Sequence, residues 1–126
     1  MVNDVDGDPD IIGVAKTLNV TISGPTVIRQ GSYPIWTANP TGGPSPYQYY
    51  WEERYQPNSG AWSGWSYFGN QQSEGMTYDP SIYEIELKVT VTDANNNTAT
   101  ANLYAYMNST NSPLKLMTDS TMSSSQ

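Results

Sequence analysis

The stretch from Glu84 to Thr92 alternates strictly between polar and apolar side chains, and it constrains the fold more than any other feature of the sequence. The apolar positions, which a strand would place on one face, are Ile85, Leu87, Val89 and Val91. A period of two residues predicts an antiparallel strand with one buried face. A second alternating stretch, Thr98 to Tyr106, follows the short polar segment Asp93 to Asn97. Together the two stretches predict a β-hairpin.

Further strand-like stretches occur upstream and are separated by turns rich in Gly, Pro, Asn and Ser. They are Leu18–Ile22, Tyr33–Ala38, Tyr47–Tyr55 and Trp62–Phe68. No segment repeats its apolar residues at helical spacing, so we expect essentially no helix. Turn signals at intervals of about ten residues are typical of a β-sandwich. The residues predicted to form its core include Trp36, Trp51, Leu87 and Val89.

The sequence therefore predicts an all-β chain with a single immunoglobulin-like antiparallel β-sandwich of about seven strands. We expect the sandwich to span residues 18–107. Residues 1–17 are predicted to form an acidic, extended N-terminal segment that acts as a linker or an inter-subunit strand. Residues 108–126 are rich in Ser, Thr and Asn and are predicted to form a C-terminal tail or linker.

The chain of 126 residues contains neither Cys nor His, and this excludes several kinds of catalysis. Cysteine nucleophiles, histidine-based triads and thiolate zinc sites all need those residues. Glu52 and Glu53 are adjacent, so they would point to opposite faces of a strand and could not form a glycosidase pair. We therefore expect no enzyme activity. The net charge of −7 argues against a nucleic-acid partner, and no apolar run is long enough for a membrane span.

Two segments resemble the immunoglobulin-like and PKD-like β-sandwich repeats of bacterial extracellular surface proteins. The first, VTISGPTVIRQGSYPIWTANPTGGPSPYQYYW, has a Gly-Pro after its first strand and ends in Trp51. The second, YEIELKVTVTDANNNTATANLYAYM, is similar to the closing hairpin of those repeats. A long aromatic insert, Tyr55 to Asn70, replaces the Gly-Asp-Gly-Ser turn of the PKD pattern. The resemblance implies an extracellular or cell-surface spacer or adhesive domain.

Two functions are compatible with these features. The first is a non-catalytic structural subunit or repeat module of an extracellular bacterial filament, adhesin or surface protein. Identical subunits or neighbouring repeats would then be its partners, and self-association would use sheet edges or terminal segments, in particular Ile11, Ile12 and Val14. The alternative is a carbohydrate-binding module that stacks glycans on exposed rings. The candidate rings are Trp62, Trp65 and Tyr67.

We expect no cofactor other than a calcium ion at the acidic N-terminal segment. Alternating carboxylates can converge on Ca²⁺, which prefers several oxygen ligands, although the same residues could form a solvated acidic linker. The carboxylates are Asp4, Asp6, Asp8 and Asp10. Glycosylation is predicted at three Asn-x-Ser/Thr positions and within an Asp-Ser-Thr sequence. These positions are Asn19, Asn96, Asn108 and Ser120.

Overall fold

The computed structural model describes residues 17–108, which form eight strands. The strands are β1 (Asn19–Ser23), β2 (Val27–Arg29), β3 (Ile35–Thr41), β4 (Gln48–Pro57), β5 (Ser66–Gly69), β6 (Ser73–Gly75), β7 (Ile82–Thr92) and β8 (Thr98–Asn108). No helix occurs between residues 17 and 108. The predicted all-β fold is confirmed.

The strands form two sheets that pack as a sandwich. The smaller sheet has the order β1-β3-β6, and the larger has the order β2-β8-β7-β4-β5. The predicted hairpin is β7–β8, which is paired in register from Glu84↔Tyr106 to Thr92↔Thr98. Every pair is antiparallel except β2–β8, which is parallel. The immunoglobulin-like antiparallel sandwich expected from the sequence is therefore present, with one parallel edge pair added.

The differences from the sequence prediction concern short elements. β2 and β6 have three residues each, and segments this short carry no readable periodicity. They raise the number of strands from about seven to eight. The predicted strand Trp62–Phe68 begins only at Ser66, because the residues before it form a loop that returns across the larger sheet.

Two tryptophans stand at the centre of the core. Trp36 and Trp51 are fully buried, together with Leu87 and Val89 from β7. A buried indole N–H needs an acceptor, and both find a backbone carbonyl. Trp36 donates to the oxygen of Pro25 at 2.8 Å and Trp51 to that of Gln71 at 2.7 Å. The rings thereby tie loops at the sandwich edge to the core.

The described chain enters and leaves the sandwich at opposite ends. A Cβ at Gly42 would overlap the Thr17 carbonyl oxygen, and one at Gly43 would overlap the Asp93 carboxylate. The entry point thus lies beside the β7–β8 turn, and we call this end the first pole. β8 runs away from that turn for 11 residues to Asn108, a distance of about 35 Å at the usual rise of a strand. The end at Asn108 is the second pole.

Candidate binding surface

Exposed aromatic rings are concentrated on one side of the larger sheet. Because Ile85, Leu87, Val89 and Val91 point into the core, the alternate residues of β7 and their cross-strand partners face away from the smaller sheet. We call this side the outer face. Its members include Gln48, Tyr50, Glu52, Arg54, Tyr67, Glu84, Glu86, Lys88, Thr90, Thr92, Thr100, Asn102, Tyr104 and Tyr106.

An ion pair between Arg54 and a buried carboxylate, Glu86, lies at the middle of the outer face. The Arg54 guanidinium donates from Nε to Glu86 Oε1 at 2.7 Å, and Asn102 donates to Glu86 Oε2 at 2.9 Å. Glu86 is only 5% exposed. The hydrogen bond to Glu86, and a further one with Tyr104, raise the pKa of Arg54. The second cation, Lys88, lies 3.5 Å from Glu52 Oε1. Arg54 and Lys88 are therefore both neutralised locally.

Trp62 and Trp65 lie directly over these cations. The Arg54 guanidinium carbon is 4.8 Å from the centre of the Trp62 ring and 5.1 Å from that of Trp65. The Lys88 Nζ is 4.3 Å from the Trp65 ring. Distances below about 6 Å give a favourable cation–π interaction. The Trp62 ring also meets Tyr104 edge-on, with centroids 6.1 Å apart.

The loop that carries the two tryptophans is fixed to the edge of β4. Ser63 N donates to the Tyr55 carbonyl at 2.7 Å, and Tyr55 N donates to Ser63 Oγ at 3.0 Å. Gly60 has a φ of +125°, a backbone region that other residues rarely adopt. The aromatic insert therefore folds back over the outer face instead of projecting from it.

The three rings predicted to stack on sugar do not share one environment. Trp62 and Trp65 cover the cations, and Trp62 is half-buried. Tyr67 is 57% exposed and pairs with Tyr50, with ring centroids 5.5 Å apart and planes tilted by 48°. The structure brings the two tryptophans together but places Tyr67 beside Tyr50, which the sequence did not predict as a binding residue.

A shallow groove lies on the outer face near the first pole. It is lined by Tyr47, Gln48, Tyr49, Tyr50, Asn70, Thr90 and Thr92. Gln48 pairs with Thr92 and Tyr50 with Thr90 across the sheet, while Asn70 follows the end of β5. No charged side chain is among these residues. We call this site the polar groove. Sequence reasoning missed it, because alternation along each strand does not give the register of β4 against β7.

The turn at the first pole is organised by Asp93. This residue is 4% exposed, and one carboxylate oxygen accepts the Asn95 and Asn97 N–H groups at 2.8 and 2.9 Å. Burial raises the pKa of Asp93, but these hydrogen bonds and one from the Asn97 side chain outweigh it, so the net effect is a lowered pKa. Asn96 then adopts a left-handed φ of 68°.

Glu52 and Glu53 occupy opposite faces of β4. Glu52 is opposite Lys88 on the outer face, whereas Glu53 is opposite Leu87 and points towards the core. Burial raises the pKa of Glu53. The two carboxylates therefore do not face a common substrate position.

Several predicted sites receive no structural test. Asn19 lies exposed on β1, Asn96 lies exposed in the turn, and Asn108 ends β8. The calcium, self-association and O-glycosylation candidates lie outside the described residues. They are Asp4, Asp6, Asp8, Asp10, Ile11, Ile12, Val14 and Ser120. Within residues 17–108, no three His, Cys, Asp or Glu side chains gather as a metal site would require.

Comparison with known proteins finds no family for this chain and gives only distant similarity to solved structures. No protein-family model matches it, and no curated protein matches it. It is similar to the PKD domain of an M14-like peptidase from a Thermoplasmatales archaeon, with 19% identity and a TM-score of 0.49 over 75% of this chain and 98% of that one. It is also similar to a CARDB domain from Pyrococcus furiosus, solved in complex with di-metal ions, with 14% identity and a TM-score of 0.42 over 86% of this chain and 100% of that one.

No helix among residues 17–108 is long and apolar enough to cross a membrane. The two packed sheets give the described part of the chain an immunoglobulin-like β-sandwich fold, as the sequence predicted.

Proposed function

We propose that this chain is a non-catalytic structural module of an extracellular or cell-surface protein, adhesin or filament, which associates with identical subunits or neighbouring repeats. The observation that carries the proposal is the position of the two ends of the described part of the chain, residues 17 and 108. Thr17 and Asn108 lie at opposite poles, separated by the length of β8. A module joined at opposite poles sets a fixed spacing between whatever precedes and follows it.

The long strands support this role because they run from one pole to the other. β4, β7 and β8 contain 10, 11 and 11 residues and are neighbours in the larger sheet. Their backbone hydrogen bonds and the core beneath them resist extension of the module. The edge strands of both sheets are much shorter, at three to five residues. Short edge strands limit uncontrolled pairing between sheets of different copies. We therefore propose the terminal segments as the contact surfaces.

Carbohydrate binding at Trp62, Trp65 and Tyr67 is a weaker alternative. Two of these rings already cover Arg54 and Lys88, so stacking a sugar on them would compete with contacts inside the domain. The exposed Tyr67 is the member of this set that favours a ligand.

The assembly state of the full chain tests the structural proposal. Light scattering and negative-stain electron microscopy would compare the unmodified chain with the double variant Ile12→Asp/Val14→Asp. The matched control is Val5→Asp, which adds a charge to an apolar position of the same segment. We expect oligomers or filaments that the double variant abolishes and the control retains. A monodisperse monomer for all three would contradict self-association through residues 11–17.

A further inference from the structure

We propose that the polar groove binds a neutral oligosaccharide chain, which also packs on an aromatic wall beside it. The wall is Tyr50, which lines the groove, and Tyr67, which contacts Tyr50. The site shares Tyr67 with the predicted sugar-binding rings but not the two tryptophans. It stands apart from the structural role because it lies on the outer face and uses neither terminal segment.

The groove offers hydrogen-bonding groups that suit hydroxyls. Thr90 and Thr92 supply hydroxyls, and Gln48 and Asn70 supply amides; each of these groups can both donate and accept. A sugar hydroxyl also donates and accepts, so the two sets are complementary. The Thr90 hydroxyl has a neighbour at 3.4 Å, the hydroxyl of Thr100 on β8, and keeps a further lone pair for a ligand.

The aromatic wall offers an apolar surface beside these groups. Tyr50 is 48% exposed, and its contact with Tyr67 leaves ring surface of both residues open to solvent. The C–H faces of a pyranose can pack on such rings. Because the planes are tilted by 48°, the rings do not form the flat strip that a crystalline polysaccharide surface would need. The geometry points to a single, soluble chain.

The charges around the site disfavour an anionic ligand. Arg54 and Lys88, the cations at the middle of the outer face, are paired with Glu86 and Glu52 and covered by tryptophan rings. Glu52 is also the cross-strand partner of Tyr67, so a negative charge lies beside the aromatic wall. The whole chain carries a net charge of −7. The ligand class is therefore a neutral glycan, not an acidic one.

A titration of the full chain followed by ¹H–¹⁵N NMR tests this assignment. The probes are the neutral hexasaccharides of cellulose, xylan, mannan and chitin, with hexagalacturonate as the anionic comparison. We expect at least one neutral hexasaccharide to give saturable shifts at Gln48, Asn70 and Thr90. Hexagalacturonate should bind at least tenfold more weakly.

Two threonine variants isolate the contribution of the groove. Thr90→Val and Thr100→Val both remove the hydroxyl contact between β7 and β8, but only Thr90 lines the groove. Loss of one ligand hydrogen bond should weaken the Kd about fivefold in Thr90→Val. Thr100→Val should change it less than about twofold. Equal effects of the two substitutions would overturn the assignment.

A second pair of variants, one test and one control, isolates the contribution of the aromatic wall. Tyr67→Ala should weaken the Kd about tenfold through lost ring contact. Tyr33→Ala removes an equally exposed ring that does not line the groove and should leave the Kd unchanged. Circular dichroism confirms that each variant is folded.

Three other outcomes would refute the proposal. The first is the absence of saturable shifts with any neutral hexasaccharide at about 10 mM, near the weak end of specific binding. The second is a set of shifts confined to the tryptophan loop. The third is a set of shifts of the groove residues that depends on protein concentration when no sugar is present. The last result would make a second copy of the chain the occupant. The first two outcomes do not bear on assembly through residues 11–17, so the two proposals can fail separately.

Discussion

Asp93 and Glu53 show how two acidic residues of one sandwich can respond to folding in opposite ways. Asp93 is buried but accepts hydrogen bonds from Asn95 and Asn97, and its pKa is lowered. Glu53 points towards the core opposite Leu87, and burial raises its pKa. The folded state therefore favours the charged form of Asp93 and the neutral form of Glu53.

The raised pKa of Glu53 predicts a stabilising substitution. At pH 7 the folded protein holds a carboxylate that would be better solvated in the unfolded chain, so Glu53→Gln should raise the free energy of unfolding. We expect a gain of about 0.5 kcal/mol, small because a half-buried charge is partly screened by solvent. The gain should disappear as the pH falls through the raised pKa, where Glu53 becomes protonated. Urea unfolding at pH 7 and pH 4 measures both effects.

The adjacent substitution Glu52→Gln is the control for this prediction. Glu52 is on the outer face beside Lys88, so its loss should leave stability unchanged or slightly lower at pH 7. If Glu53→Gln instead lowers the free energy of unfolding at pH 7, the Glu53 carboxylate has a stabilising partner. That result would contradict the interpretation that burial without a partner raises its pKa.

At the scale of the element, the loop between β4 and β5 acts as a cover for the ion pair between Arg54 and Glu86. Ser63 fixes the loop to the edge of β4, and the tryptophan rings lie over the guanidinium. The pair is costly to break because the buried Glu86 carboxylate would be left without compensation. The cover and the ion pair therefore depend on each other.

This dependence predicts that Trp62 contributes to stability. Trp62→Ala removes the cation–π contact with Arg54 and the edge contact with Tyr104. We expect a loss of about 2 kcal/mol, measured by thermal or urea unfolding. Tyr33→Ala, at an exposed ring outside the cover, should change stability by less than about 0.5 kcal/mol. Equal stability of the two variants would indicate that the Trp62 ring is free for another role.

The same loop marks the limit of what the sequence could predict. Strict alternation identified β7 and β8, and large apolar side chains at strand positions identified Trp36 and Trp51. Residues 58–65 carry no periodicity, because their path is set by two hydrogen bonds between Ser63 and Tyr55. The polar groove likewise needs the register of β4 against β7, which alternation alone does not give.

At the scale of the whole molecule, charge determines how copies of the chain can meet. The chain has 12 acidic and 5 basic residues and a net charge of −7. Two of the described cations, Arg54 and Lys88, are already in ion pairs. Copies of the chain therefore repel one another at long range, and any association has to come from apolar and backbone contacts.

Self-association should consequently increase with salt. Raising NaCl from about 10 mM to 500 mM shortens the screening length from roughly 30 Å to below 5 Å, which removes repulsion between copies while leaving apolar contacts in place. We expect the weight-average mass from light scattering to rise with salt at fixed protein concentration. The Ile12→Asp/Val14→Asp variant should remain monomeric at every salt concentration. Salt screens its charges as well, but the apolar contact that would hold two copies together is missing. A mass that falls with salt would mean that ion pairs between acidic and basic segments hold the copies together, and the contact would then have to involve charged residues instead of Ile12 and Val14.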